Sequence, residues 1–262
     1  MKRLRWIDEV LAPQLTQVLA GREIDMIEMA DRALVEGDDC HGRTAVGSGI
    51  MRDRLLAMGG ADSFTEDVRG FLDTAAAFFL NPWMASLKLM LRAAEDVAGS
   101  SFVTAFGGNG RQFGLRVSAL PGQWFVAPAV PPCIPGKVDL LSQSSGVVGD
   151  SAIVDAFGCG AMAAQVYAPE TWARVEQVCR EQHLAFPAGL LEDVHPLFRQ
   201  AINLRTGLTV QRARLTGKTP VISIGVLDRS GDHGRLDGGI FFSPKAVFDS
   251  AWAKLESQYA TA

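Results

Sequence analysis

The feature that most constrains the fold is a change of pattern near residue 98. Up to that point apolar residues recur at three- and four-residue spacing, as in Leu4, Ile7 and Leu11, which is typical of amphipathic helices. After Ala98-Gly-Ser-Ser101 the apolar runs are short and separated by Gly-rich and Pro-Gly turns, which is typical of strands. The sequence therefore predicts an α+β fold. Residues 1–98 form a helical region, and residues 99–262 form an α/β region with a mixed, largely antiparallel sheet and flanking helices. We expect the two regions to make one compact unit.

Individual elements follow from turn and cap signals. In the first region we predict a kink at Pro13, a helix over 43–58 that ends at Gly59-Gly60, a helix opened by a Ser63-Phe-Thr-Glu66 capping box, and one capped by Asn81-Pro82. In the second region Asn109-Gly110 predicts a hairpin, because both residues tolerate positive φ. The other elements predicted there are strands over 101–106, 113–120, 123–129, 208–212, 221–227 and 236–242, and helices over 170–182 and from Ser243-Pro244 onward.

Composition excludes several classes of function. The net charge of −4 leaves no basic footprint for nucleic acid. The most apolar run, 75–91, is interrupted by Asn81-Pro82 and Lys88, and a bilayer span takes about 20 apolar residues, so we expect no membrane association. The four cysteines are scattered without a C-x-x-C pair, which is typical of a reducing cytoplasm. We therefore expect a soluble, cytoplasmic protein.

The densest reactive chemistry lies between Glu36 and Thr44. Two carboxylates, a thiol, an imidazole and a guanidinium fall within six positions, and Gly37 and Gly42 let the backbone turn around them: Asp38, Asp39, Cys40, His41 and Arg43. Such a helix–loop–helix junction is a usual place for functional groups. One interpretation makes these side chains a general acid–base site or metal ligands. The other makes the Asp side chains a cap that accepts the free amides of the next helix.

Three glycine-rich segments each have a functional and a structural interpretation. Gly158-Cys-Gly160-Ala-Met-Ala163 follows an apolar segment and matches a dinucleotide-binding turn, or it allows tight helix packing. No second strand follows it at the spacing that a βαβ unit needs. Gly107-Gly-Asn-Gly110-Arg111 is an anion cradle or a β-turn. Residues 225–234 are a hairpin tip or a loop that closes over a ligand. Tight packing is the more common outcome for the first, and we predict no cofactor and no bound metal.

The order of four motifs resembles a bacterial family long described only as a domain of unknown function. Gly37-Asp-Asp-Cys-His41-Gly-Arg43-Thr is similar to its G-D-E-x-H-x-R-N segment. Asn109-Gly110-Arg-Gln-Phe-Gly114-Leu-Arg116-Val, followed by a W-F-x-A-P piece at Trp124, is similar to the next. Gly149-Asp150-Ser151-Ala-Ile-Val-Asp155 resembles G-D-S-A-I-x-E, and the last strands resemble the family's closing strands. The resemblance runs from about residue 10 onward.

The resemblance implies a role in carbamoyl chemistry. Members of the family accompany an FdrA-like protein, and one is a subunit of the oxamate carbamoyltransferase of allantoin (purine) breakdown, which interconverts oxalurate plus phosphate with oxamate plus carbamoyl phosphate. Family members are typically longer, so we expect this chain to lack their N-terminal nucleotide-binding-like domain. The implied protein is a subunit of a homo- or hetero-oligomer that handles a small anionic substrate.

The leading hypothesis is therefore a carbamoyltransferase-like transferase subunit acting on carbamoyl or acyl phosphate and a small amide-like acid. His41, oriented by Asp38 or Asp39, is the predicted catalytic group. Arg43 and Arg116 are predicted to bind anionic groups, since a planar guanidinium suits phosphate and carboxylate. The remaining predicted pocket residues are Asn109, Gly110, Asp150 and Ser151. Two alternatives stay open: a non-catalytic scaffolding or ligand-binding subunit of an FdrA-like complex, and a metal-dependent amide hydrolase built on Asp38, Asp39 and His41.

Overall fold

The structure is a computed structural model that describes residues 2–259. Residue 1 and residues 260–262, which belong to the predicted regions 1–98 and 99–262, lie outside the described residues. Helices fill the first hundred residues and antiparallel strands follow with helices packed around them, so the predicted α+β class is confirmed. Among residues 2–259, no helix combines the length and the apolar character that crossing a bilayer requires.

The helices of the first region match most of the predicted pattern. They are α1 (Lys2–Trp6), α2 (Ala12–Leu19), α3 (Met26–Val35), α4 (Ala45–Gly59), α5 (Glu66–Thr74) and α6 (Leu80–Ala93). The kink expected at Pro13 takes the form of a π-helical turn over Ile7–Leu11, in which the amide of Ala12 donates to the carbonyl of Ile7. Proline has no amide to complete the ordinary helical ladder, so the backbone widens just before it.

Two predicted helix caps are wrong. The hydroxyl of Ser63 donates to the carbonyl of Gly59 and completes a short 3-10 turn after α4, so it is not free to cap α5. The N-cap of α5 is Thr65, whose side chain makes no cap hydrogen bond. Helix α6 begins two residues earlier than the Asn81 cap predicts, at Leu80, because Phe79 already has helical backbone angles. Pro82 still falls in its first turn, where proline is tolerated.

The predicted meander forms the first sheet. Its strands are β1 (Val103–Asn109), β2 (Gln112–Val117), β3 (Phe125–Pro128) and β4 (Val148–Gly149), in the order β3-β2-β1-β4, all antiparallel. The hairpin at Asn109-Gly110 is confirmed, with Gly110 at a φ of +85°. Phe113 and Leu115 of β2 are fully buried.

The remaining elements include the part of the chain that carries the site. They are α7 (Ile153–Phe157), α8 (Ala164–Tyr167), α9 (Pro169–Glu181), β5 (Leu191–Val194), β6 (Arg205–Leu208), α10 (Val210–Thr216), β7 (Val221–Leu227), β8 (Arg235–Phe242) and α11 (Lys245–Tyr259). The strand predicted over 208–212 is wrong beyond Leu208. The hydroxyl of Thr209 accepts a hydrogen bond from the amide of Arg212 and starts a helix there instead.

The hydrophobic core is not divided at residue 98. One core joins the apolar faces of the N-terminal helices to Ile153, Val154 and Phe157 of α7 and to the segment around Phe198. A second core lies between the first sheet and helices α10 and α11. Helix α7 therefore packs against the helical region while its neighbours reach the sheet region. This position brings the loop between α3 and α4 against α7 and β7.

Candidate active site at the loop between α3 and α4

The loop over 36–44 is a tightly reversed connection between α3 and α4. The amide of Asp38 donates to the carbonyl of Ala33 at 2.9 Å and ends α3. Cys40 has a φ of +62°, a left-handed conformation that residues other than glycine seldom adopt. That turn lets its amide donate to the carbonyl of Arg43 at 3.1 Å. Backbone strain of this kind costs about 1–3 kcal/mol and persists where the surroundings fix it, often at functional sites.

Asp39 fixes the shape of the loop. One carboxylate oxygen accepts the amides of His41 at 2.7 Å and Arg43 at 2.9 Å. The other accepts the hydroxyl of Thr171, at the start of α9, at 2.6 Å. The side chain is fully buried, so its hydrogen bonds are made within the protein and not to solvent. Asp39 is thereby a positioning residue that holds the backbone of His41 and Arg43.

Asp38 is also buried but less completely satisfied. Its Oδ2 accepts the amide of Gly47 at 2.8 Å, in the first turn of α4, so the helix-capping interpretation holds for this residue. Its Oδ1 has no hydrogen-bond partner among the described residues and lies 3.8 Å from Nε of Arg43. Burial raises the pKa of Asp38, while the amides of Gly47 and Val46 oppose the rise.

The imidazole of His41 is bonded to a carboxylate from another part of the chain. Its Nδ1 lies 2.5 Å from Oδ2 of Asp155, on α7. His41 is 5% exposed and Asp155 is fully buried. The sequence hypothesis assigned the orienting carboxylate to Asp38 or Asp39; the structure gives that position to Asp155. Both Asp38 and Asp39 direct their carboxylates to backbone amides instead.

The hydrogen bonds of Asp155 set the state of the pair. Its other oxygen accepts the amides of Ala161 at 2.7 Å and Ser223 at 3.2 Å. Burial raises the pKa of Asp155, whereas the imidazole and these amides stabilise its ionised form. An ionised Asp155 places the proton of neutral His41 on Nδ1. Its Nε2, which makes no hydrogen bond to any residue in 2–259, is then a free base.

Close backbone approach explains two glycines of the sequence motifs. A Cβ on Gly160 would lie 2.2 Å from Oδ1 of Asp155, and its amide donates to the carbonyl of Asp39 at 2.6 Å. A Cβ on Gly42 would lie 2.3 Å from Oγ of Ser223. The G-x-G-x-x-A pattern thus brings the loop and α7 together. The segment before it, Ile153–Phe157, is a helix and not the strand that a dinucleotide-binding turn requires.

A cavity of about 350 Å³ opens beside this pair. Its walls come from the loop, the N-terminus of α6, strand β7 and the start of β8. The polar residues that line it include His41, Arg43, Thr44, Ser151, Ser223 and Arg235. Arg43 pairs with Glu170 on its exposed side, and Arg235 makes no ion pair with any carboxylate in residues 2–259. The guanidinium groups of Arg43 and Arg235 make this cavity suitable for a small anion.

The other predicted pocket residues lie elsewhere. Asn109 and Asp150 line a separate cavity of about 800 Å³ between α6 and the first sheet, together with Trp124 and Lys88. The two cavities are neighbours, since Asp150 lines the larger one and Ser151 the smaller. Gly110 lines neither, and the guanidinium of Arg116 lies 3.6 Å from the carboxylate of Glu95. Of the predicted residues, His41, Arg43 and Ser151 therefore line one cavity, and Asp38 and Asp39 lie beside them in the loop.

Sequence reasoning missed three residues of the site. Asp155 was visible as the acid of the third family motif, but nothing local linked it to His41. Ser223 and Arg235 flank the segment 225–234 that the sequence marked as a ligand-closing loop or a hairpin tip. A charged residue directly after Gly234 was the available signal for Arg235.

A metal centre finds no support in the side-chain arrangement. Within residues 2–259, no group of three or more His, Cys, Asp or Glu side chains is placed to hold an ion. Cys40 and Cys159 are fully buried beside the loop, and burial raises the pKa of each thiol well above its ordinary value. A thiolate nucleophile is therefore disfavoured at either position.

Comparison with known proteins places the chain in a family. The family profile described as "Oxamate carbamoyltransferase subunit AllG" matches residues 1–151. AllG of Escherichia coli K12 is 29% identical over 96% of this chain and 63% of its own length. The uncharacterized protein YahG of the same organism is 30% identical over 95% of this chain and 55% of its own length.

A solved structure shares the fold. A conserved protein of unknown function from Enterococcus faecalis V583 superposes with a TM-score of 0.84 at 26% identity, covering 98% of this chain and 64% of that one. The chain thus spans between about half and two thirds of the length of the relatives it matches. With more than half of its residues matched by the family profile, the chain belongs to the family of the oxamate carbamoyltransferase subunit AllG.

Proposed function

We propose that the chain is a subunit of a carbamoyltransferase-like enzyme and that it contributes the reacting site at His41. The substrates would be a carbamoyl or acyl phosphate and a small amide-like acid such as oxamate or oxalurate. The observation that carries the proposal is the buried His41–Asp155 pair, which leaves Nε2 of His41 free beside a cavity lined by Arg43 and Arg235. Histidine held this way by a carboxylate is a common general base.

The His41–Asp155 pair suits transfer of a carbamoyl group between a phosphate oxygen and the amide nitrogen of oxamate. In the direction that consumes carbamoyl phosphate, the amide nitrogen of oxamate attacks the carbamoyl carbon. A C–N bond forms, the C–O bond to phosphate breaks, and phosphate leaves with the bonding electrons. The proton lost by the nitrogen passes to Nε2 of His41, while Asp155 stabilises the resulting imidazolium through Nδ1. The products are oxalurate and phosphate, and the reverse direction uses the same atoms.

The other residues of the loop act through position and charge. Arg43 presents a planar guanidinium to an anionic group of the substrate, and Ser151 lies on the same cavity wall. Asp39 holds the backbone of both His41 and Arg43, and Asp38 ties the loop to α4. The proposal leaves out Asn109, Gly110, Asp150 and Arg116 as substrate contacts, since none of them lines the cavity beside His41.

A second candidate is a non-catalytic subunit whose partner holds the active site. Two observations favour it: the matched family is named for a subunit, and the chain spans 63% of AllG of Escherichia coli.

We include an FdrA-like partner, an oligomeric assembly, a role in allantoin breakdown and a cytoplasmic location in the proposal. The free state of all four cysteines agrees with that location. No observation favours the metal-dependent hydrolase.

One assay separates the two candidates. The chain is purified alone and with its FdrA-like partner, and carbamoyl phosphate formation from oxalurate and phosphate is measured for wild type and His41→Ala. A site at His41 predicts that the His41→Ala complex assembles but loses turnover. A complex that assembles and turns over at the wild-type rate with His41→Ala would remove His41 from the mechanism and leave the scaffolding role.

A further inference from the structure

A further, smaller cavity lies against the cavity beside His41 and is lined by three guanidinium groups. It measures about 260 Å³ and is bounded by the N-terminus of α9 and by strands β7 and β8. The two cavities share Gly42, Arg43, Ser223, Ile224 and Arg235. We refer to the smaller one as the arginine cavity, after the guanidinium groups of Arg43, Arg174 and Arg235 that line it.

Two of these guanidinium groups converge on one glycine. The position that a Cβ on Gly238 would take lies 3.3 Å from Nη2 of Arg235 and 3.5 Å from Nη2 of Arg174. Because Gly238 has no side chain, the space between the two cations is left open. Like charges at such short range repel each other unless an anion lies between them.

The carboxylates of the arginine cavity do not neutralise it. Among residues 2–259 its lining holds three guanidinium groups and two carboxylates, Glu170 and Asp237. Asp237 lies 2.7 Å from Nζ of Lys137 and 3.6 Å from Nη2 of Arg174, so it serves two cations. Lys137 and the other groups around it hold the pKa of Asp237 below its ordinary value. Within the described part of the chain, Arg235 donates to the carbonyl of Asp237, at 3.2 Å, and pairs with no carboxylate.

The ion pair between Glu170 and Arg43 is one that another anion can displace. It forms an ion pair with Nη1 of Arg43, yet its side chain is 72% exposed and lies in the first turn of α9. An exposed ion pair of this kind contributes little to stability, because solvent screens it. A doubly charged oxyanion offers each guanidinium stronger charge-assisted hydrogen bonds than Glu170 does.

We propose that the arginine cavity is the subsite for a tetrahedral dianion, the phosphoryl group of the acyl phosphate or free phosphate, with Arg43, Arg174 and Arg235 as its ligands. This assignment rests on the proposed function and divides the site into two parts. The phosphoryl group occupies the arginine cavity, and the carbamoyl carbon and the amide-like acid occupy the cavity beside His41. Binding of the dianion displaces the carboxylate of Glu170 from Arg43.

Phosphate titration of the purified protein by calorimetry, with oxamate in excess, tests the subsite without requiring turnover. We expect saturable phosphate binding that Arg235→Gln weakens about tenfold or more, as for the loss of a charge-assisted contact. Arg235→Lys keeps the charge but not the planar fork and should give an intermediate value. Glu170→Gln should tighten binding severalfold, because it removes the competing carboxylate.

Two controls make the outcome decisive. Arg111→Gln removes the same charge from an exposed position on the β1–β2 hairpin and should change phosphate affinity less than twofold. His41→Ala should leave phosphate affinity unchanged, so loss of the proposed chemistry and loss of the subsite are measured separately. Equal weakening by Arg235→Gln and Arg111→Gln, no saturable phosphate binding, or an Arg235 dependence seen for oxalate but not for phosphate would each overturn the subsite.

Discussion

The cavity at the first sheet and the cavity beside His41 meet at Asp150-Ser151 and differ in size and in chemistry. The cavity beside His41 carries the reactive groups. The cavity at the sheet, about 800 Å³, is lined mostly by apolar side chains and glycine backbone, with exposed Lys88 and Asp150 at its edge. The cavity beside His41, about 350 Å³, adjoins a fully buried carboxylate that orients an imidazole. Buried titratable groups with defined partners identify a candidate active site better than volume does.

The largest expected effect separates the two cavities by activity. His41→Ala should lower kcat of the assembled protein about 10²–10⁴-fold, the usual contribution of a general base. Lys88→Ala, which changes a polar side chain of the large cavity, should leave kcat and KM within about twofold of wild type. The measurement is steady-state turnover with oxalurate and phosphate, with circular dichroism as the test of folding. A larger loss for Lys88→Ala than for His41→Ala would reverse the comparison.

The next effect concerns Asp155, the buried carboxylate that orients the imidazole beside the His41 cavity. Asp155→Asn should lower kcat about 10–100-fold with KM nearly unchanged. The amide of asparagine can donate to Nδ1 of His41, which holds the imidazole in the tautomer that has no free base at Nε2. The loss should therefore persist at every pH across the profile. A variant that regains wild-type kcat at high pH would show that Asp155 does not set the tautomer.

Replacing Arg43 by lysine tests whether substrate binding requires the planar guanidinium or only its positive charge. Arg43→Lys should raise KM for the anionic substrate about tenfold and leave kcat within a few fold, because lysine cannot form the bidentate contact. Substrate titrations at fixed enzyme concentration give both constants. An unchanged KM would exclude Arg43 as a substrate ligand.

The large cavity supplies a prediction of stability and not of activity. Oδ1 of Asn109 accepts the amides of Arg111 at 3.0 Å and Gln112 at 2.8 Å and closes the hairpin turn. Asn109→Ala should lower the free energy of unfolding by about 1 kcal/mol, with turnover within twofold of wild type. Denaturant titration and the turnover assay give the two values. A tenfold loss of turnover would return Asn109 to the substrate site and join the two cavities.

The smallest effect is a pH dependence at Asp38. Burial raises its pKa in the folded protein, so the folded state binds this proton more tightly than the unfolded chain does. The stabilising contribution is present below the ordinary carboxyl pKa and is lost as the pH rises through the raised value. Asp38→Asn removes this dependence, so its unfolding free energy relative to wild type should increase as the pH rises above about 4, the ordinary carboxyl value. A difference that stays constant across this range would contradict the assignment.

Local signals predicted the fold and half of the site. The loop over 36–44 stood out because its reactive residues are adjacent in sequence, and the Asn109-Gly110 hairpin because its turn chemistry is local. The contact between His41 and Asp155 joins residues 114 positions apart, so it depends on how α7 packs against the helical region. The N-caps of α6 and α10, Phe79 and Thr209, differ from the prediction. The helical backbone of Phe79 sets the first, and the hydrogen bond of the Thr209 hydroxyl sets the second. The sequence motifs predict Asn109 and His41 in one cleft. Only the tertiary packing shows that these two residues line different cavities.

A crystal structure of the protein with phosphate and oxamate would show whether His41 lies at the reacting site. We expect a ligand in the cavity beside His41, with a polar atom within hydrogen-bond distance of Nε2 of His41 and of the guanidinium of Arg43. We also expect no ligand beside Trp124 and Asn109. A ligand held only in the large cavity, with His41 untouched, would contradict the assignment of the reacting site.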